Sequence, residues 1–426
     1  MQEQQGFSAL AAEAADEGAL SLAADHDYGL AVDIGTTTLA AVLVDCTDGK
    51  ILATATAVNS QRSFGADVVS RIGAACHGKG KALQKAVRRD LTRLTKQLLK
   101  DHPGTAARCR QMAIAANTTM LHLLMSWPCD GLGDWPFQPV SLGGKTYRAQ
   151  EVLGPQTVLA DATVTLLPGM STYVGADITA GIWQCGLASS DDVSLFVDLG
   201  TNGEMVLGNK DQRFIASAPA GPALEGGKLT WGTGSVPGAI CGVRIERGRA
   251  KVRTIDHAVP VGICGTGILE AMAGLVREGL VDETGKFVEP YFHKGFPLAS
   301  TLDYQRITLS QQDIREIQMA KSAIRAGIES LIERSGISRQ RVHQVFLAGG
   351  FGYYLDPQKA AVIGLLPADL AERTTAVGNT SLKGAIGLLT GAVTLEELQA
   401  IAAGAEEIVL GNDEAFQRLY IDYLNF

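Results

Sequence analysis

Two short segments each place an aspartate beside a glycine turn and a run of polar residues. The first reads Val32-Asp33-Ile34-Gly35-Thr36-Thr37-Thr38. The second reads Val197-Asp198-Leu199-Gly200-Thr201-Asn202-Gly203-Glu204. A carboxylate in such a loop holds magnesium or its water, and the glycine lets the backbone approach phosphate. Successive N–H and hydroxyl groups then bind the phosphate oxygens. A single copy also looks like an ordinary turn, because Asp, Gly and Thr populate turns for local reasons. Two copies favour a magnesium–polyphosphate site, since each ends an apolar run and a later run, Phe346-Leu347-Ala348, ends in Gly349-Gly350-Phe351-Gly352.

The elements that must position these loops repeat as well. After the first loop, residues 39–44 are apolar, Asp48-Gly49 makes a turn, and residues 51–58 alternate. After the second, Met205-Val206-Leu207 leads to a turn at residues 208–211 and a strand-like stretch at 213–217. Each copy therefore reads strand, loop, strand, turn, strand. Helical stripes fill the intervals. One carries Leu83, Val87, Leu91, Leu94 and Leu98. Another starts near Ser310 with Asp313 in capping-box position and runs through Ile314, Ile317, Ile324, Ile328 and Leu331 to Gly336. Strands interleaved with such helices predict an α/β architecture of two similar lobes. Residues 28–190 form the first lobe with an insertion, and residues 191–426 the second with C-terminal hinge helices. Residues 1–27 read as an Ala-rich acidic tail without chemistry of its own.

Composition excludes other classes. The net charge is −8 with no basic run, so nothing draws the chain to nucleic acid. No segment supplies the roughly 18 uncharged apolar residues of a membrane span. The start lacks the basic and apolar regions of a secretory signal. The seven cysteines (46, 76, 109, 129, 185, 241 and 264) show no CxxC spacing, so no iron–sulfur cluster is expected in this chain. Reduced thiols in a cytoplasmic protein account for them.

The two Asp loops resemble the first and second phosphate motifs of the superfamily of acetate and sugar kinases, heat-shock chaperone ATPases and actin. Residues 346–352 resemble its adenosine motif, and residues 378–385 its late small-residue helix at the hinge. Within that superfamily, several segments together resemble the ATP-binding domain of reductive activators of corrinoid-dependent proteins. They are Asn117-Thr118-Thr119-Met120, Pro136-Phe137, Gly175-Ala176-Asp177-Ile178, residues 220–226, Gly262-Ile263-Cys264-Gly265-Thr266-Gly267, residues 313–316 and Ala320-Lys321. The resemblance implies two actin-like (ribonuclease H-like) lobes around a nucleotide cleft. It also implies ATP-assisted reduction of cob(II)amide to cob(I)amide in the corrinoid protein of a methyltransferase system, and a homodimer. Relatives commonly carry a ferredoxin-like domain with clustered cysteines. None is seen here, so electrons are expected from a separate low-potential iron–sulfur donor.

On this reading Asp33 and Asp198 hold Mg2+, and Glu204 orients the attacking water unless it is merely an exposed strand carboxylate. Gly35, Thr36, Thr37, Thr38, Gly200, Thr201, Asn202 and Gly203 bind phosphates. Gly265, Thr266, Gly267 and Glu270 lie near the nucleotide, although a carboxylate at a helix start is favourable without function. Glu225 and Lys321 are ribose or adenine candidates, with a solvated helix face as the plainer reading of Lys321. Gly349, Gly350 and Phe351 lie against the adenosine. Trp127, Trp135, Phe137 and Tyr173 form either core or a partner-facing surface. Three alternatives stay open: a small-molecule kinase with Asp177 as base, an actin-like polymer, and an ATP-dependent activator of another metallocofactor enzyme.

Overall fold

Seven residues at the start of the first lobe, Tyr28–Ile34 (β1), form a strand buried along almost its whole length. Such near-continuous apolar runs belong to strands covered on both faces. The computed structural model describes residues 26–100, 102, 104–349, 355–411 and 413–426. The expected tail up to residue 25, and Gly350 and Phe351, lie outside them.

β1 pairs antiparallel with Thr38–Asp45 (β2), which pairs antiparallel with Ile51–Val58 (β3). On its other side β1 pairs parallel with Cys109–Ala116 (β4). Lys145–Arg148 (β5) and Thr163–Leu166 (β6) complete a six-stranded sheet of order β3-β2-β1-β4-β6-β5. The stripe Leu83, Val87, Leu91, Leu94 and Leu98 lies on the helix Gly80–Lys100 and is buried throughout. It packs over β2 and β3.

The second half rebuilds this frame. Val193–Leu199 (β7) pairs antiparallel with Gly203–Gly208 (β8), and β8 with Arg213–Ala218 (β9). The parallel neighbours come much later in the chain. Three further strands, Ala239–Glu246 (β10), Arg249–Thr254 (β11) and Gly262–Ile263 (β12), form a small sheet. Phe296–Ser300 (β13) and Arg306–Leu309 (β14) form a hairpin. Val342–Ala348 (β15) then pairs with β7, Thr374–Gly378 (β16) pairs with β15, and Ala405–Glu407 (β17) extends the β9 edge. The order is β16-β15-β7-β8-β9-β17. Each sheet thus holds an antiparallel meander of three strands joined through its first strand to parallel neighbours. The internal echo in the sequence is a repeat of topology.

The helix Gln311–Ser335 covers β8 and β9. Its start is the expected capping box. The Ser310 hydroxyl accepts from the Asp313 N–H, and the Asp313 carboxylate accepts from the Ser310 N–H at 2.8 Å. Asp313 also accepts from the Thr230 backbone at 2.8 Å, tying the helix to a distant loop. Gly336 closes the helix in the left-handed region at φ 67.

Two compact units result among the described residues, one from residues 26–189 and 380–405, the other from residues 190–349, 355–379 and 406–426. Residues 380–405, expected with the second lobe, pack in the unit that holds β1. The cause is close helix packing. Gly384 on the helix Thr380–Leu389 meets Ala180, and Gly387 meets the Trp183 ring, on the helix Ala176–Gln184. A methyl at Gly384 would lie 2.4 Å from the Ala180 side chain, so only a glycine lets these helices approach so closely.

Candidate nucleotide-binding site

In the first unit the loop between β1 and β2 closes tightly. The Gly35 N–H donates to the Thr38 carbonyl at 3.0 Å, and a methyl at Gly35 would lie 2.6 Å from that oxygen. Asn59 braces the turn, donating from its backbone to Thr37 and from its side-chain amide to the Gly35 carbonyl, both at 2.9 Å. Asn117 caps the helix Thr118–Met125 by accepting from Met120 N–H, and its amide donates to the Thr36 hydroxyl at 3.1 Å. Thr36 is accordingly buried, Thr37 half-buried and Thr38 exposed.

Asp33 is half-buried at the end of β1 and accepts from the Ser381 hydroxyl at 3.0 Å. Asp177 faces it from the first turn of the helix Ala176–Gln184. Its carboxyl is pushed up to about 7, first by desolvation and second by the Asp33 charge. The Gly175 position crowds the same corner, with room for a Cβ already taken by Asn117 and Asp177. This corner therefore sets two carboxyl groups side by side, a donor set that suits the hydrated magnesium expected there.

The second unit has its own version. The Gly200 N–H donates to the Asn202 carbonyl at 3.0 Å, closing the loop between β7 and β8. The Thr201 hydroxyl donates to the Glu225 carboxylate at 2.6 Å. Desolvation raises the Glu225 carboxyl above its ordinary range, opposed by that hydrogen bond. Gly349, at φ 107, brings the end of β15 against the loop. A methyl there would lie 2.4 Å from the Leu199 carbonyl oxygen and 3.0 Å from Asp198 Oδ1. Glu204 is buried at 8% exposure, so it is not a solvated strand carboxylate.

Several candidates have structural partners of their own. Gly203 admits Ile324 of the covering helix, and Gly267 admits the Ile240 carbonyl, so both serve close packing. Gly265 and Thr266 are buried at the start of the helix Gly265–Arg277. Cys264 caps that helix and donates its thiol to the Ile240 carbonyl at 3.3 Å. Glu270 forms a 2.5 Å ion pair with Lys359. Lys321 lies on no solvated face. It is fully buried, donates to the Asn425 carbonyl, and stands 5.0 Å from the Phe426 ring centroid. Trp127 packs edge-on against His122. Trp135, Phe137 and Tyr173 form an aromatic run in which Trp135 is 76% exposed.

Sequence reasoning missed Asn59 and Ser381. Asn59 sits at the start of a 3-10 turn, and only its hydrogen bonds reveal its place behind the loop. Ser381 lies 348 residues from the carboxylate it serves.

Duplicated sheets, each ending in an Asp–Gly–Thr loop, define an actin-like nucleotide-binding fold of the ASKHA type. Residues 192–426 match the family model described as the C-terminal domain of RACo, the ASKHA domain. Residues 28–190 match the RACo middle region. The chain belongs to the RACo family. It is 33% identical over 415 residues to the corrinoid activation enzyme RamQ of Eubacterium limosum, covering 92% of this chain and 69% of that protein. It is 25% identical over 431 residues to the Co(II) methylated amine-specific corrinoid protein reductase of Methanosarcina barkeri, covering 94% and 77%. Among solved structures, a reductive activator for a corrinoid, iron–sulfur protein superposes with a TM-score of 0.88 at 34% identity, covering 95% of this chain and 67% of that one. No helix among the described residues is long and apolar enough to cross a membrane.

Proposed function

We propose that this chain is an ATP-dependent reductive activator of a corrinoid protein in a methyltransferase system. The observation that carries this is the relationship to a corrinoid activation enzyme across 92% of the chain. The paired loops supply the nucleotide chemistry. Asp33 and Asp198 hold Mg2+, and Glu204 orients the water that attacks the terminal phosphate. The backbone and hydroxyls of residues 35–38 and 200–203 bind phosphate oxygens, and Gly349 lets the adenosine lie against the backbone. The Thr201–Glu225 pair fixes the second loop.

Nucleotide binding shifts a two-state protein only as far as it binds one state more tightly. ATP therefore favours the conformation that grips the corrinoid protein and eases transfer of one electron to cob(II)amide, giving cob(I)amide. Hydrolysis to ADP and phosphate releases the complex. We assign the electron to a separate low-potential iron–sulfur donor, because the cysteine spacing offers no cluster site.

The test is ATP hydrolysis by the purified chain, titrated with a cob(II)amide-loaded corrinoid protein and a low-potential reductant, with the corrinoid spectrum followed together. Stimulated hydrolysis with a growing cob(I)amide band is expected. Hydrolysis unchanged by any corrinoid protein, with phosphorylated product from a small-molecule panel, would replace this reading with a kinase.

A further inference from the structure

Arg71 is the largest of the fully buried side chains. Its Nε donates to the Gly65 carbonyl at 2.9 Å, and its Nη1 to the Met120 thioether at 3.5 Å. Its Nη2 is buried without a hydrogen-bond partner. Among the described residues no carboxylate lies within ion-pair distance of it. Asp67, one helical turn earlier, acts on it only through space. Burial lowers the guanidinium to about 10, so it stays charged at neutral pH.

Met120 Sδ, a weak acceptor, is shared between Arg71 Nη1 and Asn59 Nδ2, the latter at 3.6 Å. Gln61 in the same turn directs its amide N–H to the Leu83 carbonyl at 3.1 Å and leaves its Oε1 buried without a partner. An uncompensated buried cation is costly, and native interiors pair such groups or coordinate them. A water on Nη2 would satisfy one donor and leave the charge.

We propose that Arg71, with Asn59 and Met120 beside it, forms an anion-binding site behind the first phosphate loop that takes one small inorganic anion. Complete burial limits the ligand to a small anion, for which halide and inorganic phosphate, sharing this chemistry, are the probes. The site touches the loop through a short chain of contacts, because the amide of Asn59 that reaches Met120 also holds the Gly35 carbonyl. Anion occupancy therefore stiffens the turn that approaches phosphate. The inference stands apart from the corrinoid reading and needs no nucleotide.

The full chain, exchanged into sodium gluconate, is titrated with chloride and separately with inorganic phosphate at constant ionic strength while its thermal midpoint is followed. A rise of about 2–4 °C with one of the two anions is expected from linkage, and the responding anion identifies the ligand. Arg71→Met removes the response. Should that variant fail to fold, Arg71→Lys keeps the charge without the planar fork and needs about tenfold more anion. Chloride-35 line width on the wild-type chain reads halide binding without any variant. No rise with either anion and no line broadening would overturn the proposal in favour of a bound water. The same anion response in Arg71→Met would overturn it too.

Discussion

Asp198 on β7 stands directly opposite Glu204 on β8 in the antiparallel register, so the two carboxylates leave the same face of the sheet. The equivalent partner of Asp33 in the first unit is Ala40. The two repeats share a frame and differ in charge. One aspartate has a hydroxyl beside it from Ser381, and the other faces a second acid across the strand pair. Like charges across a ladder destabilise it unless a cation or proton lies between them. The magnesium proposed at Asp198 would sit beside this second acid.

Removing one acid of this pair is expected to imitate the metal. Glu204→Gln without Mg2+ melts about 2–4 °C above the wild type, and added Mg2+ raises the wild type more than the variant. The same substitution lowers ATP turnover by about 10²-fold, as expected for a group that orients or deprotonates the attacking water. Calorimetry with and without Mg2+, and phosphate release, check both. Equal Mg2+ responses in the two proteins would remove the metal from between these carboxylates.

Gly349→Ala is expected to be damaging for two reasons at once. Its φ of 107 disfavours any side chain, and the added methyl would press on the Leu199 carbonyl at 2.4 Å and on Asp198 Oδ1 at 3.0 Å. Backbone strain of this kind costs about 1–3 kcal/mol. Gly35→Ala is the control, since its clash with the Thr38 carbonyl occurs outside the left-handed region. Chemical denaturation ranks the two, and Gly349→Ala also weakens nucleotide affinity. A variant as stable as the wild type would mean that the end of β15 shifts to accept the methyl.

Much of this frame was legible in the sequence, for local reasons. The alternation around both Asp loops gave β1–β3 and β7–β9, because a meander is built from neighbours in sequence. The stripe from Leu83 to Leu98 and the Ser310–Asp313 capping box located their helices, since each signal sits within the element it describes. The rest depends on distant segments. Lys321 reads most plainly as part of a solvated helix face, yet Asn425 and Phe426 arrive about a hundred residues later and bury it. Arg325 meets the Tyr423 ring at 4.5 Å. Residues 380–405 looked like part of the second lobe by position alone, and the glycines that dock them on the helix Ala176–Gln184 carry no address in sequence. Glu270 gave no hint of Lys359, which comes from another helix.

Asp177 sets a pH dependence whose sign follows from its environment. Its folded value of about 7 lies above the ordinary 3.8. Between those values the native state holds a proton that the unfolded chain has released. The stabilisation is fully present below pH 3.8, declines as pH rises, and is gone above about 7. Over that window the wild-type thermal midpoint is expected to fall relative to Asp177→Asn. Asp33→Asn is expected to reduce this slope without abolishing it, because burial is the larger cause and the Asp33 charge the smaller. Melting curves across the window test the order of causes. A slope unchanged by Asp177→Asn would assign it to another group.

Lys321 runs the opposite way. Burial, aided by the Arg325 charge, lowers its ammonium to about 7 from the ordinary 10.5. Between those values the unfolded chain binds a proton that the native state does not, so stability rises with pH from about 7 to 10.5. Lys321→Met is expected to lose that rise. Its amine donates to the Asn425 carbonyl beside the Phe426 ring, so the substitution is also expected to leave the apparent affinity for ATP within about twofold of wild type, a free-energy change below 1 kcal/mol. Denaturant midpoints between pH 7 and 10 and nucleotide titration at pH 7.5 read the two effects separately. A tenfold loss of ATP affinity with an unchanged pH slope would return Lys321 to the nucleotide site that its motif first implied.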